Sequence, residues 1–371
     1  MRGGTTRGVF FNADDLPADP EKRDRILMAV VGGPDPRQVD GIGGADLLLS
    51  KVSIVWPSER PDADVECSFG SITPGSRTIK YGANCGNLIS AVALFAWQEG
   101  LLGGSPEMVR IYNPDSGTTV EARLDPRDIS GDTRFAQISG MPATGDLVKL
   151  AFLDPAGTAG NGLLPTGNVI DHLEMPDGRS IRATIIDSGA QYVFVSATEM
   201  GLQATATSKE VAGDANLMAT FESLRGQAAV LTGLASSPDN AKDETPAVPK
   251  LAFVGPPLDY LTEGKNLPVA AGDIDLLSRI ISSQSFHKAY AVTGAIATTS
   301  AAVVPGSIVN QLVGNKFDPA VGRLRIGHPT GIIECTVKWS RKADAVVIER
   351  ASVLRTARRI MEGSNFLPDH C

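Results

Sequence analysis

The sequence predicts an α+β protein in which short strands outnumber helices. Most apolar segments are short, rich in β-branched or aromatic residues, and bounded by Gly, Pro, Asp or Asn. The chain carries 39 glycines and 24 prolines, and many short strands separated by such residues are typical of barrels and sandwiches. The short helix predicted after Cys85 is apolar nearly all round, which indicates burial inside a barrel. With 371 residues, 42% of them hydrophobic, the chain is long enough for two domains.

The elements follow from these patterns along the chain. The predicted strands are Val9–Phe11, Val52–Val55, Met108–Tyr112, Thr119–Leu124, Arg134–Ile138, Val148–Phe152, Ile181–Ile186, Tyr192–Val195, Leu251–Val254, Ala291–Thr293, Arg323–Ile326, Ile332–Lys338 and Ala345–Ile348. The predicted helices are Glu21–Met28, Cys85 to about Trp97 with Asn84 as cap, Ala215–Leu231 with Asp214 as N-cap, and Ile274–Ser282. The polar stretch Ser236–Pro249 is predicted to be an exposed loop.

Charge and composition exclude several classes of function. The formal net charge is −8, and nucleic-acid binding needs a concentrated basic face. The one basic cluster, formed by Arg355, Arg358 and Arg359, is predicted to be a solvated helix face. No apolar run is long enough to span a bilayer and the N-terminus lacks a signal-peptide pattern, so we expect a cytoplasmic protein without a membrane partner.

Cysteine and histidine spacing gives no sign of a metal or disulfide framework. The four cysteines and the four histidines are widely separated, at Cys67, Cys85, Cys335, Cys371 and at His172, His287, His328, His370. The segment Gly157–Gly162 superficially resembles a phosphate-binding loop, but it lacks the Lys-Ser/Thr ending and is interpreted as a turn. We therefore expect no metal and no cofactor.

Lys51 and Cys85 are the strongest candidates for chemistry. Cys85 lies in a turn rich in Gly and Asn that leads into an apolar helix, where free N–H groups and the helix dipole attract an anion and favour a thiolate. Lys51 lies between a Leu-rich run and a strand, and a partly buried lysine is more easily neutral. The alternatives are a small packed cysteine and a lysine at a strand edge without a catalytic role.

Five motifs resemble the PrpF family. They are Arg2–Phe11, the Gly-rich segment ending in Ser50-Lys51-Val52, Asn84–Asn87, Ala291–Gly294 and Val353–Gly363. The matches run in order along the whole chain. The family includes 2-methylaconitate cis-trans isomerase, 4-oxalomesaconate tautomerase and aconitate Δ-isomerases. Members usually carry a strand before the first motif, so we expect this chain to lack an edge strand or its true start to lie upstream.

The resemblance implies a diaminopimelate epimerase-like fold, with two pseudo-symmetric domains that each wrap a β-barrel-like sheet around a central helix. A faint repeat agrees with this, since Tyr81 and Tyr290 both lead through a Gly-containing turn into an apolar helix. The expected domains are residues 1–140 plus 346–371, and residues 141–345.

The resemblance also implies the catalytic pair and the reaction. Lys51 and Cys85 occupy the catalytic motifs of a cofactor-independent isomerase of a small unsaturated tricarboxylate, held between the two domains. The reaction is an allylic 1,3-proton shift or a cis-trans isomerisation. Candidate substrate-binding residues are Arg2, Thr5, Ser50, Asn84, Gly86, Asn87, Ser188, Lys288, His328 and Thr330. Nucleic acid is not an expected partner, and a homodimer is left open.

Two other functions remain as alternatives. A racemase or epimerase acting at an α-carbon suits the fold, but epimerases of this fold place a second cysteine where this chain has Ala295 to Thr298. A non-catalytic binding module would predict loss of Lys51 or Cys85, and both residues are present.

Overall fold

The computed structural model describes residues 1–81, 85–104, 107–124, 135–282, 284–343 and 345–368. The helices are α1 (Pro20–Val31), α2 (Ile89–Gln98), α3 (Ser208–Ala212), α4 (Ala215–Leu231), α5 (Ala241–Glu244), α6 (Val292–Ala302) and α7 (Ile308–Val313). The strands of the first half are β1 (Arg2–Gly3), β2 (Thr6–Asn12), β3 (Lys51–Pro57), β4 (Val65–Ser71), β5 (Met108–Asn113), β6 (Thr118–Arg123), β7 (Phe135–Ala136) and β8 (Gly145–Leu153). The remaining strands are β9 (Asp171–Glu174), β10 (Ser180–Asp187), β11 (Gln191–Ser196), β12 (Lys250–Gly255), β13 (Tyr260–Leu261), β14 (Pro268–Val269), β15 (Leu276–Ser282), β16 (Ser285–Phe286), β17 (Arg323–His328), β18 (Gly331–Lys342) and β19 (Ala345–Arg358).

The chain forms two compact units. The first is Met1–Leu153 with Leu354–Cys371, and the second is Asp154–Val353. The sequence predicted that the first domain ends at residue 140 and resumes at residue 346. In the structure the first unit ends at Leu153 and resumes at Leu354, which is 13 and 8 residues later. The first boundary falls later because β8 pairs with β6 and so belongs to the sheet of the first unit.

The first unit is a closed barrel around a buried helix. Its strands pair in the ring β1, β2, β3, β4, β5, β6, β8 and β19, and β19 pairs again with β1. Every residue of α2 from Ile89 to Ala96 is buried, and the helix contacts β1, β3, β5 and β8. The prediction that this apolar helix is buried inside a barrel is confirmed.

Helix α1 covers the outer face of the same barrel. Asp19 caps its first turn by accepting from the backbone of Glu21 and Lys22, and Gly32 ends it in the left-handed conformation. Leu27 and Val31 pack against Val52 and Ile54 of β3. Alternate residues of β3 thus face α1, while Lys51, Ser53 and Val55 take the opposite side of the strand.

The second unit also encloses a buried helix. Its sheet runs β9, β10, β11, β12, β15, β17, β18 and residues 345–353 of β19, with parallel pairing between β11 and β12 and between β15 and β17. All residues of α6 are buried, and α6 contacts β10, β11, β17 and β18. A second apolar cluster, which includes Phe221 and Phe253 stacked at 5.5 Å, packs α4 against the other face of the sheet.

Helix α4 confirms its prediction to the residue. It covers Ala215–Leu231, and the Asp214 carboxylate accepts from the backbone N–H groups of Asn216 and Leu217. The predicted loop Ser236–Pro249 contains only the four-residue helix α5.

Besides the start of α2, four local predictions are wrong or only partly met. The segment Ile274–Ser282 forms strand β15, because an apolar run of this length suits a doubly buried strand as well as a helix. Residues Ala291–Thr293 lead into α6, since packing in the core overrides the β-preference of Val292 and Thr293. Arg355 is a buried strand residue of β19, so the basic cluster is not a solvated helix face. The strand predicted at Arg134–Ile138 is reduced to β7, and Arg134 lies outside the described residues.

None of the described helices is long and apolar enough to cross a bilayer. Within the same residues, no three side chains of His, Cys, Asp or Glu are grouped so that they could hold a metal ion.

Candidate active site

Lys51 is the first residue of β3 and is half-buried. It pairs with Gly8 of β2 on one side and with Ser71 of β4 on the other. Its Nζ donates a hydrogen bond to Ser71 Oγ over 3.1 Å. Among the described residues, no carboxylate lies within ion-pair distance of this ammonium. The partner of Lys51 among these residues is therefore a neutral hydroxyl.

The segment before Lys51 is folded around the side chain of Gln38. Gln38 Oε1 accepts from Ser50 Oγ over 2.6 Å and from the backbone N–H of Ala45 over 2.8 Å. Gln38 itself is buried and adopts a left-handed φ of 53°. The Ser50 hydroxyl, a predicted substrate ligand, is thus fully buried and already has a side-chain partner.

Cys85 lies in a turn that precedes α2 and is not the first residue of the helix. Ile89 N–H donates to the Cys85 carbonyl over 3.0 Å, and Ser90 Oγ donates to the Asn87 carbonyl over 2.7 Å. The helix starts four residues later than predicted because this turn comes between, and the predicted cap Asn84 lies outside the described residues. Gly86 and Asn87 are buried, and Cys85 is half-buried.

The other described cysteines are inaccessible. Cys67 and Cys335 are fully buried, and neither forms a disulfide with another described cysteine. Burial raises the pKa of the Cys67 thiol well above its usual range. Of the three described thiols, Cys85 is the one with exposed surface.

The N-terminal motif presses directly on the Cys85 turn. Strands β1 and β2 form a tight hairpin in which Gly3 pairs with Thr6. A Cβ added to Gly3 would lie 2.6 Å from the Asn87 carbonyl oxygen, and one added to Gly4, whose φ is +52°, would lie 2.1 Å from Asn87 Oδ1. Only glycine permits so close an approach. Two motifs far apart in sequence are thereby brought together.

Thr5 and Arg2 of this hairpin each keep a buried polar atom that has no hydrogen-bond partner among the described residues. Thr5 N–H donates to Asn87 Oδ1 over 3.4 Å, while its hydroxyl is such an atom. The Arg2 guanidinium is buried and donates to Gly4 O and to Thr356 O and Oγ1, while its Nε is the other such atom. Burial lowers the pKa of Arg2.

The remaining predicted ligands belong to the second unit. Ser188 is fully buried, and its Oγ lies 2.9 Å from Ser300 Oγ of α6. His328 is buried at the end of β17, stacks on Tyr290 with ring centroids 5.7 Å apart, and accepts at Nδ1 from Thr330 N–H over 3.3 Å. Lys288 is exposed. Of these residues, the structure brings His328 and Thr330 into direct contact.

The loop Gly157–Gly162 is a turn, as predicted, and it holds an anion of its own. Thr158 Oγ1 donates to Asp187 Oδ1, and Ala159 N–H donates to Asp187 Oδ2 over 2.7 Å. Asp187 is fully buried, and burial raises the pKa of its carboxyl although these hydrogen bonds act in the opposite direction.

Comparison with known proteins identifies the family. The family model described as PrpF protein matches residues 1–368. The chain is 39% identical to a 3-methylitaconate isomerase of Eubacterium barkeri, covering 98% of this chain and 94% of that protein. It is 35% identical to a 2-methyl-aconitate isomerase of Cupriavidus necator, covering 98% and 94%. The crystal structure of a methylitaconate-delta-isomerase superposes with a TM-score of 0.79 at 38% identity, covering 98% of this chain and 92% of that one. The chain therefore belongs to the PrpF family and is an isomerase.

Proposed function

We propose that this isomerase moves a proton within a small unsaturated di- or tricarboxylate, with Lys51 as the base and Cys85 as the acid. The observation that carries the proposal is the environment of Lys51. The Lys51 amino group is half-buried and contacts a hydroxyl and, within the described part of the chain, no carboxylate, so a carboxylate substrate would meet no competing anion there.

The names of the relatives support a broader proposal for the substrate than a tricarboxylate alone. The sequence favoured a tricarboxylate, yet one relative is named for 3-methylitaconate, which carries two carboxylates. Methylaconitate, for which another relative is named, carries three. We therefore extend the proposal to both, and the shared feature is a C–H next to a double bond that is conjugated with a carboxylate.

The chemistry follows from that feature. Lys51 removes the allylic proton, and the electron pair spreads over the double bond and the carboxylate as an extended enolate. Cys85 then delivers a proton to the far carbon, which moves the double bond by one position. Rotation before the proton returns gives the cis-trans product instead. Each step transfers only a proton, so a base, an acid and donors to the enolate oxygen suffice.

The Cys85 turn supplies the donors in this proposal. The backbone N–H groups of Gly86 and Asn87 lie just before α2, where the helix dipole favours negative charge. The Thr5 hydroxyl, for which the described part of the chain offers no hydrogen-bond partner, lies on the hairpin that packs against the same turn. Loss of one such donor typically costs about 3 kcal/mol in the transition state.

Incubation in D2O with a panel of acids tests the function. The panel is methylitaconate, methylaconitate, aconitate and oxalomesaconate, followed by ultraviolet absorbance and by NMR. We expect an absorbance change and deuterium at an allylic carbon with at least one acid, and neither with Lys51→Met. Deuterium at the α-carbon of an amino acid would instead support the racemase or epimerase alternative. Binding without exchange would support a non-catalytic module.

A further inference from the structure

The hydroxyl that contacts Lys51 belongs to a residue whose backbone is fixed on both sides. Ser71 is the last residue of β4 and lies opposite Lys51 in the antiparallel pair. On its other side, Ser71 N–H donates to the Lys80 carbonyl and Lys80 N–H donates to the Ser71 carbonyl, each over 2.9 Å. The next residue, Ile72, donates its N–H to the Ser50 carbonyl over 3.0 Å. The Ser71 backbone is therefore fixed beside Lys51, and the hydrogen bond from Lys51 Nζ is the contact that involves its Oγ.

These bonds fix the Ser71 backbone between two segments. It pairs with Lys51 of β3 on one side and with Lys80 on the other.

A hydroxyl suits a lysine that must change its charge during a reaction. It accepts a hydrogen bond from an ammonium N–H, and it can donate one to the lone pair of a neutral amine. A carboxylate in the same place would favour the ammonium only, because it cannot donate when ionised. Ser71 can therefore remain hydrogen-bonded to Nζ in both protonation states.

We propose that Ser71 is a positioning residue for Lys51, which fixes the direction of Nζ while the lysine gains and loses its proton. This inference rests on the proposed function, in which Lys51 is the base. Ser71 itself does not touch the reacting atoms.

The test compares Ser71→Ala with Ser71→Thr, which keeps the hydroxyl. Ser68→Ala is the matched control, since Ser68 lies on the same strand and its hydroxyl donates to Asp115 and not to lysine. We expect Ser71→Ala to lower kcat by about 10- to 100-fold, because a misplaced catalytic group costs rates of that order. KM should stay within about twofold, the pH dependence of kcat should shift, and Ser71→Thr should recover most of kcat.

A second measurement tests the contact without any substrate. Brief labelling with acetic anhydride, read by mass spectrometry, compares the rate at Lys51 with that at the exposed Lys80 as internal standard. We expect the Lys51 to Lys80 ratio to change at least threefold in Ser71→Ala and to stay constant in Ser68→Ala, since loss of a hydrogen bond frees the amine.

The possible results distinguish the positioning role of Ser71 from the proposed function of the protein. A kcat of Ser71→Ala equal to that of the wild type, or an unchanged labelling ratio, overturns the positioning role. A wild-type protein that isomerises none of the panel acids overturns the proposed function, and the labelling ratio still decides whether Ser71 holds the amine.

Discussion

Lys51 is the residue on which the proposed reaction depends. We expect Lys51→Met to fold normally and to lower isomerisation by about 10²- to 10⁴-fold, because it removes both the base and a positive charge that attracts the substrate. Turnover of each purified variant on the preferred acid is the measurement, and Lys22→Met on the exposed side of α1 is the matched control. Activity above about a tenth of the wild-type value would rule out Lys51 as the base.

Cys85 is expected to tolerate a conservative change better than Lys51. If it only returns the proton, Cys85→Ser keeps a hydroxyl that can donate, so its turnover should exceed that of Lys51→Met. A serine cannot replace an obligate thiolate base, because its hydroxyl ionises at far higher pH. A Cys85→Ser variant that is less active than Lys51→Met would therefore indicate that Cys85 is the base and Lys51 is the acid.

Alkylation gives an independent check on Cys85. Iodoacetamide should modify Cys85 before the buried Cys67 and Cys335, and substrate should protect it. Alkylation that maps to a buried cysteine first, together with a fully active Cys85→Ala variant, would contradict a functional Cys85.

Some single residues of the candidate site could be predicted from sequence and others could not. Lys51 and Cys85 lie in motifs that resemble those of the PrpF family, so the resemblance was sufficient to select them as candidates. Ser71 and Gln38 were not predicted from sequence because each contacts a site residue that is distant from it along the chain. The loop between β3 and β4 is too long to fix which residue of β4 faces Lys51, and nothing local to Gln38 indicates that it binds Ser50.

At the scale of elements, a glycine in α4 illustrates how packing outweighs helix propensity. Alanine is favoured over glycine inside a helix by about 1 kcal/mol. A Cβ at Gly226, however, would lie 2.5 Å from the Pro238 carbonyl oxygen. We expect Gly226→Ala to lower the free energy of unfolding by about 1–3 kcal/mol, as overpacking does.

The measurement for Gly226→Ala is the urea midpoint of unfolding. The control is Gly103→Ala, because Gly103 is exposed and a Cβ there would meet nothing within 4 Å. A Gly226→Ala protein that is as stable as the wild type would mean that the backbone at Pro238 yields easily.

Elements were predictable where local signals agree with packing. Helix α4 has both a capping residue and sufficient length, so its bounds were correct. Strand β15 has neither a cap nor a clear period, and its pairing with β12 and β17 decides its structure. The start of α2 was predicted too early because the composition of residues Cys85 to Leu88 does not distinguish a turn from the first turn of a helix.

For the whole molecule, the family and the reaction class followed from ordered motifs, and the family model confirms the resemblance. The identity of the acid did not follow, because the side chains that distinguish related acids carry no motif. We expect activity on the preferred acid to survive exhaustive EDTA treatment and gel filtration, since proton transfer between side chains needs no metal. Loss of activity that a divalent metal restores would contradict the mechanism.

The stability of the molecule should depend on pH through Asp187. Burial raises its pKa in the folded state above the unfolded value of about 3.9, so the folded protein binds the proton more tightly. Its contribution to stability is therefore complete below about pH 4 and is lost as the pH rises through the raised pKa. Relative to Asp187→Asn, the wild type should lose stability across that range, by at most about 1.4 kcal/mol per pH unit.

The measurement for Asp187 is the difference between the urea midpoints of the two proteins from pH 4 to pH 7. The asparagine variant serves as the control, because its oxygen can still accept from Ala159 and its amide can donate to the Thr158 hydroxyl. A difference that is constant with pH would show that Asp187 does not titrate differently in the folded state.

Asp187 also affects how the glycine-rich loop Gly157–Gly162, which binds its side chain, should be interpreted. Whether a loop with this composition binds phosphate is usually decided from its own sequence. Here the N–H of Ala159 instead donates to the side chain of Asp187, which lies 28 residues further along the chain. The Thr158 hydroxyl and the Ala159 N–H are therefore already engaged by a carboxyl group of the same chain. A search for nucleotide-binding sites that uses the loop pattern alone will also select loops of this kind. Their hydrogen-bond donors are already bound by an acidic side chain that is distant in sequence, so the search should consider such a partner as well.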